Sequence, residues 1–330
     1  MRSNLLKAEI RSIGAYLPEG RMANEEFTKF IETSDEWIVS HTGIKYRHIA
    51  AKEQAASDLA LIASNRAIEK ANLKPEEIDL ILVATVSSDF HGFPSTACIL
   101  QDKLGAINAG ALDISAACTG FIYGLEIAKN FIISGNYKNI LVVATEVLSK
   151  LTNWKDRNTC VLFGDGAGAA VVTESSGEGR IGSAILRSEG SGAEYLKVHA
   201  GGSRNPYNKD TKEEDICIYM DGQPVYKFAV KVITEILQEL LEKNNLSLDD
   251  IAYIVPHQAN IRIIKAAAKR LRIPLEKFFI NMDEVANTSA ASIPLALNEM
   301  HEKNLLKKGD LILMAAFGGG LTYGGNLCYW

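Results

Sequence analysis

Two stretches of this chain repeat two others at almost one spacing, and that constrains the fold more than any single motif. A helical pattern, Ala71-Asn-Leu, acids and the apolar run Ile78-Asp-Leu-Ile-Leu-Val-Ala-Thr-Val recur as Asn244-Asn-Leu, acids and Ile251-Ala-Tyr-Ile-Val-Pro. Leu73 and Leu246 are 246 − 73 = 173 positions apart. Asn139-Ile-Leu-Val-Val-Ala-Thr-Glu recurs as Asp310-Leu-Ile-Leu-Met-Ala-Ala-Phe at 310 − 139 = 171, and each is followed by a glycine-rich turn and a short strand. A repeat of this length points to an internal duplication, with halves 1–175 and 176–330. Each half alternates helices with runs apolar enough for strands covered on both faces. The expected fold is therefore α/β: two similar units packed about a pseudo-two-fold axis with a helix layer shared between them. The polar, glycine-containing stretch Gly190 to Asp215 reads as an excursion over the surface.

The chemistry is expected at Ala111-Leu-Asp-Ile-Ser-Ala-Ala-Cys118-Thr-Gly-Phe-Ile-Tyr, where an apolar run ends and an amphipathic segment begins. Unpaired N–H groups at a helix start favour a thiolate, so a cysteine there is a candidate nucleophile. By itself such a cysteine is more often a packing residue. The duplication adds the missing context. Subtracting the offset from Cys118 leads close to Ser289, in Ala286-Asn-Thr-Ser-Ala-Ala-Ser, while His257 closes the second half's buried strand. Active-site groups of α/β sheets gather at the carboxyl ends of strands, so Cys118, His257 and Asn287 are expected to converge. Asn287 also suits a helix cap, and His257 a satisfied strand-end histidine.

Composition excludes several alternatives. Five scattered cysteines, Cys98, Cys118, Cys160, Cys217 and Cys328, with no C-x-x-C pair, fit neither a disulfide framework nor a structural zinc site. A formal charge of −5 gives no reason to expect nucleic-acid binding. The N-terminus carries Lys7 and Glu9 where a signal peptide needs an apolar core, and no apolar run is long enough to cross a bilayer. A cytoplasmic protein without a membrane partner is expected. Gly164-Asp-Gly-Ala-Gly lacks the spacing of a dinucleotide fingerprint and ends a half instead of starting one.

Five motifs, Ala116-Ala-Cys-Thr-Gly-Phe, Phe163-Gly-Asp-Gly-Ala-Gly-Ala, Pro256-His-Gln-Ala-Asn, Asn287-Thr-Ser-Ala-Ala-Ser and Ala316-Phe-Gly-Gly-Gly, occur in order over nearly the whole length. In these the chain resembles β-ketoacyl-acyl-carrier-protein synthase III, a thiolase-fold condensing enzyme. The resemblance implies a five-layer αβαβα fold and a Cys118-His257-Asn287 triad. It further implies decarboxylative condensation of an acyl-CoA primer with malonyl-acyl-carrier protein through an acyl-Cys118 intermediate, initiating fatty acid synthesis. Cys118 and Gly319 would supply the oxyanion-hole N–H groups. Trp37 and Arg157 would sandwich the adenine of CoA, and Gly222 and Asn260 would line its pantetheine tunnel. Phe93, from a second copy in a homodimer, would bound the acyl pocket together with Phe317. No permanently bound cofactor is implied; acetyl-CoA and CoA are substrate and product.

A basic stripe is visible without the resemblance. Arg262, Lys265, Lys269 and Arg272 follow one another at steps of 3, 4 and 3 along the helix after His257. In an acidic protein it is a candidate dock for an anionic partner, although a solvated helix face has the same pattern, and the resemblance implies an acidic carrier protein there, with Lys227 and Arg270 nearby. Two residues depart from the family: His41 replaces a common arginine near the CoA phosphates, and Ala286 replaces the glycine before Asn287. A synthase III paralogue of secondary metabolism, or an acyltransferase or thioester hydrolase using the same cysteine, would share most of these features.

Overall fold

The computed structural model describes residues 6–175 and 177–330. The terminal run whose lack of an apolar core argues against a signal peptide therefore lies partly outside the described residues, as does position 176, where the second half was drawn to begin. Strands Ala8–Tyr16, Gly166–Glu174, Asn139–Glu146, Leu80–Ala84 and Gly110–Ile114 form a five-stranded sheet in that spatial order. A second sheet runs Arg180–Ser188, Thr322–Tyr329, Leu311–Gly318, Tyr253–Pro256. The two correspond strand for strand. In each, the first pair and the second pair are antiparallel and the third is parallel. The fifth strand of the second sheet is reduced to one parallel bridge between Ile254 and Phe278.

Leu80–Ala84 is buried at every position, as its unbroken apolar sequence demands of a strand covered on both faces. Helices Ala56–Lys70 and Thr96–Leu104 cover the outer face of the first sheet. Helices Gly222–Asn244 and Ile261–Leu271 cover the outer face of the second. Between the sheets lie Gly120–Ile133 and Ser292–Glu302, whose Phe121, Ile122, Leu125, Ile293 and Leu297 share one core with Leu82, Val142, Ile312 and Met314. That is the five-layer αβαβα arrangement, with the duplicated halves joined through their inner helices. Each fully buried Leu, Ile or Phe contributes about 1.5–3 kcal/mol, so this shared layer binds the halves strongly.

The glycines of Gly164-Asp-Gly-Ala-Gly pack this layer. A Cβ on Gly168 would lie 2.6 Å from Pro294 Cβ, so the strand and the inner helix approach only because that atom is absent. The loops over the sheet ends are held by Arg47, fully buried, whose guanidinium donates to Asn24 Oδ1 at 2.8 Å and to the Val161 carbonyl at 2.9 Å and lies 4.5 Å from the Phe27 ring centroid. Burial lowers its pKa to about 10, leaving it charged at neutral pH. The stretch Gly190 to Asp215 is largely exposed, as expected, but it sends one short strand inward. Leu196–Val198 pairs with Ile218–Met220, which lies just beyond the stretch, and Leu196 and Val198 line cavities at the sheet ends.

Candidate active site

The cysteine turn and its twin share an unusual backbone. Ala117–Thr119 and Ser289–Ala291 are both 3₁₀ turns, each leading directly into an inner helix. Ala117 has φ 45° and Ser289 φ 48°, a left-handed conformation that non-glycine residues seldom adopt and that clusters at functional sites. The offset is 289 − 117 = 172, which makes Ala290, one residue beyond the expected Ser289, the counterpart of Cys118. Each turn packs against the end of the other half's central strand. Gly318 abuts Cys118 so closely that a Cβ there would lie 2.6 Å from the cysteine N and 3.0 Å from its Cβ. Glu146, the counterpart of Gly318 at 318 − 146 = 172, lies beside Ser289.

His257 follows strand Tyr253–Pro256, its N–H bonded to the Ala315 carbonyl at 2.8 Å, and its side chain is buried. Its Nδ1 lies 2.8 Å from Ser292 Oγ, and the Phe317 ring stands edge-on at 5.3 Å between centroids. Ser292 Oγ also accepts from the Gln258 N–H at 3.4 Å and keeps a hydrogen to give Nδ1, the pairing that leaves the ring proton on Nε2. Burial depresses the His257 pKa to about 3, so the ring is neutral at physiological pH. Asn287 is fixed by two backbone bonds, from its N–H to the Leu162 carbonyl at 3.0 Å and from the Gly164 N–H to its own carbonyl at 3.0 Å. Its Oδ1 accepts from the Ser289 N–H at 2.9 Å, which leaves the amide Nδ2 as a free donor. The capping role and a chemical role are thus compatible in one side chain.

Cys118, His257 and Asn287 line one cavity of about 390 Å³ with Phe317 and Gly318. Behind Cys118 a second cavity of about 300 Å³ is lined by Val86, Leu148, Leu151, Phe163, Leu196 and Gly319, among others. The thiol therefore stands between two chambers. Burial pushes its pKa up to about 12 from 9.0, against the expectation of an acidic thiol. One pKa unit is about 1.4 kcal/mol, so this rise outweighs the ~0.3–2 kcal/mol that a helix terminus supplies. A resting thiol is the result.

The remaining candidates fall into three groups. Trp37, His41, Gly222, Asn260 and Arg262 line the first cavity. Arg157 lies over Trp37 at 4.6 Å, with its Nη1 donating to the Glu32 carbonyl, and the His41 ring stacks on Trp37 at 4.4 Å. Two stacked interfaces would need roughly twice that separation, so an adenine between Trp37 and Arg157 requires the guanidinium to swing aside. Asn260 caps helix Ile261–Leu271, accepting from the Arg262 N–H at 2.8 Å and donating to the His41 carbonyl at 2.9 Å. Phe93 is 87% exposed and lines neither cavity, so within one chain it does not meet Phe317. Lys227, Arg262, Lys265, Lys269, Arg270 and Arg272 are all exposed, and among the described residues none of them forms an ion pair. Ala286 adopts φ 58°, ψ −159°, a conformation suited to the glycine it replaces. Among the described residues no cluster of three or more His, Cys, Asp or Glu side chains is placed to hold a metal, and no helix is long and apolar enough to cross a membrane.

Sequence reasoning missed Gly318, Ser289, Ser292 and Glu146. The serines lie inside a motif already singled out, and Glu146 is the one charged residue of an otherwise uncharged strand, a signal that could have been read.

Comparison with known proteins identifies the scaffold. Residues 112–190 match the 3-oxoacyl-[acyl-carrier-protein] synthase III family and residues 241–330 its C-terminal counterpart. The β-ketoacyl-[acyl-carrier-protein] synthase III of Caldanaerobacter subterraneus subsp. tengcongensis is 54% identical over 327 residues, 98% of each chain, and that of Clostridium acetobutylicum is 51% identical over 322 residues, again 98% of each. The chain belongs to the synthase III family. The crystal structure of the Aquifex aeolicus 3-oxoacyl-[acyl-carrier-protein] synthase III superimposes with a TM-score of 0.91 at 46% identity, covering 98% of this chain and 100% of that one. The protein is a thiolase-fold condensing enzyme, an acyltransferase that performs the condensation initiating fatty acid synthesis.

Proposed function

We propose that Cys118 carries the primer as a thioester and that His257 and Asn287 activate the extender. Cys118 Sγ attacks the carbonyl of an acyl-CoA, acetyl-CoA in the simplest case, the C–S bond to CoA breaks, and CoA leaves through the first cavity. Malonyl-acyl-carrier protein then enters the same cavity. Loss of carbon dioxide leaves an enolate thioester, whose oxygen receives hydrogen bonds from His257 Nε2–H and Asn287 Nδ2–H, two neutral donors in a water-poor site. The enolate carbon attacks the acyl-cysteine, 3-oxoacyl-carrier protein departs, and the thiol is restored. The N–H groups of Cys118 and Gly319 hold the oxyanion formed at the thioester carbonyl.

The observation that carries this reading is the position of Cys118 at the junction of two chambers, with both donors in the first and a mainly apolar second chamber behind. The second chamber suits an acyl chain of limited length, and we assign it to the primer. The exposed Phe93 supports a homodimer in which each copy's phenylalanine closes the other's primer chamber. The unpaired cations along Ile261–Leu271, beside the mouth lined by Asn260 and Arg262, suit an acidic carrier protein, and Trp37, Arg157, Gly222 and Asn260 suit the CoA nucleotide and pantetheine arm. We take 1–175 and 176–330 as the two repeat units, supported by the matched strand order.

The deciding experiment weighs the intact protein after mixing with acetyl-CoA and then supplies malonyl-carrier protein. An acetyl adduct on Cys118 followed by 3-oxoacyl-carrier protein is expected. Cys118→Ala should lose both, whereas His257→Ala and Asn287→Ala should keep the adduct and lose carbon dioxide release. Free acetate without condensed product would overturn the reading in favour of thioester hydrolysis.

A further inference from the structure

The mechanism above leaves one proton without a path. Cys118 rests as a thiol, and in the proposed mechanism the neutral His257, with Nδ1 against Ser292, serves as a donor through Nε2, so it does not take the proton as the sulfur attacks. Across the pseudo-two-fold axis from Gly318 lies Glu146, fully buried at the end of strand Asn139–Glu146. Its carboxyl accepts from Ser87 Oγ at 2.6 Å, Thr85 Oγ1 at 3.3 Å and the Val86 N–H at 3.2 Å. The turn that carries Ser289 packs against both this strand end and the cysteine turn, and Ser289 and Cys118 line the second cavity together. In the resting geometry Ser289 Oγ is buried and satisfied by neither, an orphaned hydroxyl at the nucleophile.

We propose that Ser289 and Glu146 form the proton path of Cys118. As Sγ bonds to the acyl carbon, its proton passes to Ser289 Oγ while the serine proton passes to the Glu146 carboxylate. The CoA thiolate leaves and is protonated from solvent. In the second half-reaction the Cα of the enolate displaces Sγ, and the Glu146 carboxylic acid returns the proton to the departing thiolate through Ser289. Over both steps one proton is drawn from solvent, as decarboxylation of a malonyl anion requires. In this path Ser289 takes the proton from the reacting sulfur, and Glu146 acts through it.

The environment suits the task. Desolvation raises the Glu146 pKa to about 7, where a carboxyl can both accept and release a proton at neutral pH. The other titratable groups on neighbouring loops are already committed. Asp165 accepts from the Ala50 and Ser149 N–H groups and from Ser149 Oγ, and Asp89 accepts from Ser57. Among the described residues no lysine or arginine forms an ion pair with Glu146, and its charge helps to raise the Cys118 pKa.

This proposal rests on Cys118 being the acylated nucleophile, and the test separates the two. Single-turnover CoA release from acetyl-CoA is followed between pH 5.5 and 9 for the wild type, Glu146→Gln, Ser289→Ala, the double variant and Cys118→Ala, with the adduct weighed in each case. Ser289→Ala is a mild probe, because Ala117 occupies the twin position at nearly the same φ. In the wild type the rate should rise through a pKa near 7. Each single variant should lose that limb and roughly 10²-fold in rate, with the double variant no slower than either. Glu146→Asp should recover part of the rate. A preserved limb in Glu146→Gln, or losses that add in the double variant, would overturn the relay. An acetyl adduct persisting in Cys118→Ala would instead remove the nucleophile, and the relay with it.

Discussion

Gly318→Ala isolates the closest backbone approach in the site. The new Cβ would meet Cys118 N at 2.6 Å, Cys118 Cβ at 3.0 Å and Ala117 Cβ at 3.2 Å. None of these atoms can move by a side-chain rotation, so the cysteine turn itself has to retreat from the strand end. Overpacking of this kind costs about 1–3 kcal/mol of stability. The larger effect is on chemistry, because the displaced group is the Cys118 N–H, the oxyanion donor of the proposed mechanism. Losing one such donor costs about 2.7–4 kcal/mol, which is about 10²–10³ in rate. We expect kcat/KM for condensation to fall by about 10²–10³ and acetylation of Cys118 to slow by a similar factor, measured by stopped acylation and intact mass. Two further alanines calibrate the result. Gly319→Ala meets the Leu196 carbonyl at 3.3 Å and should cost less, and Gly202→Ala, which lines neither cavity and meets nothing within 4 Å, should be close to neutral. Near-wild-type acetylation and condensation in Gly318→Ala, or an equal loss in Gly202→Ala, would refute the steric argument.

Ser292→Ala frees His257 Nδ1, so the ring no longer has a fixed tautomer; carbon dioxide release from malonyl-carrier protein should fall about 10–100-fold, with Cys118 acetylation unchanged. Asn287→Asp keeps the acceptor for the Ser289 N–H but replaces the free donor with a negative oxygen, and decarboxylation should be lost while the acetyl adduct still forms. His257 titrates near 6.5 when unfolded and near 3 when folded, so it contributes stability above pH 6.5 that is lost as pH falls toward 3. The thermal midpoint of His257→Gln should therefore fall less than that of the wild type between pH 6.5 and 4. Reversing charge at Lys265 and Lys269 together should raise KM for malonyl-carrier protein about tenfold at low salt and leave KM for acetyl-CoA unchanged, with the difference shrinking at high salt.

The duplication was legible because buried strands carry uninterrupted apolar sequence, and such runs are conspicuous in a chain. Their offset brought Cys118, His257 and Asn287 to one face, and all three line one cavity. What the sequence did not disclose depends on backbone conformation and on packing across the axis. The left-handed Ala117 and Ser289, the one-residue difference between Ser289 and Ala290, and the approach of Gly318 to Cys118 leave no mark in hydrophobic periodicity. The thiol's pKa was misjudged for a related reason. A helix start is visible in sequence, whereas the desolvation that outweighs it arises from groups that both halves bring together. The excursion from Gly190 was read by its polarity, and its two apolar residues at the cavities, Leu196 and Val198, are too few to change that composition.

The crossed contact between turns and strand ends makes each half the floor of the other's turn. Separate fragments of this chain would each carry a complete sheet and still present an unfinished cleft, with Cys118 lacking the glycine beneath it and Glu146 lacking the serine above. Activity regained on mixing two such fragments would then be a direct reading of how well they reassemble, since neither can generate signal alone. The same exchange allows identical backbones to host unlike contents: a thiol over an empty glycine on one side, a hydroxyl over a carboxyl on the other. A symmetric scaffold has in this way been left with one reactive centre and one supporting centre, facing each other through the middle of the molecule.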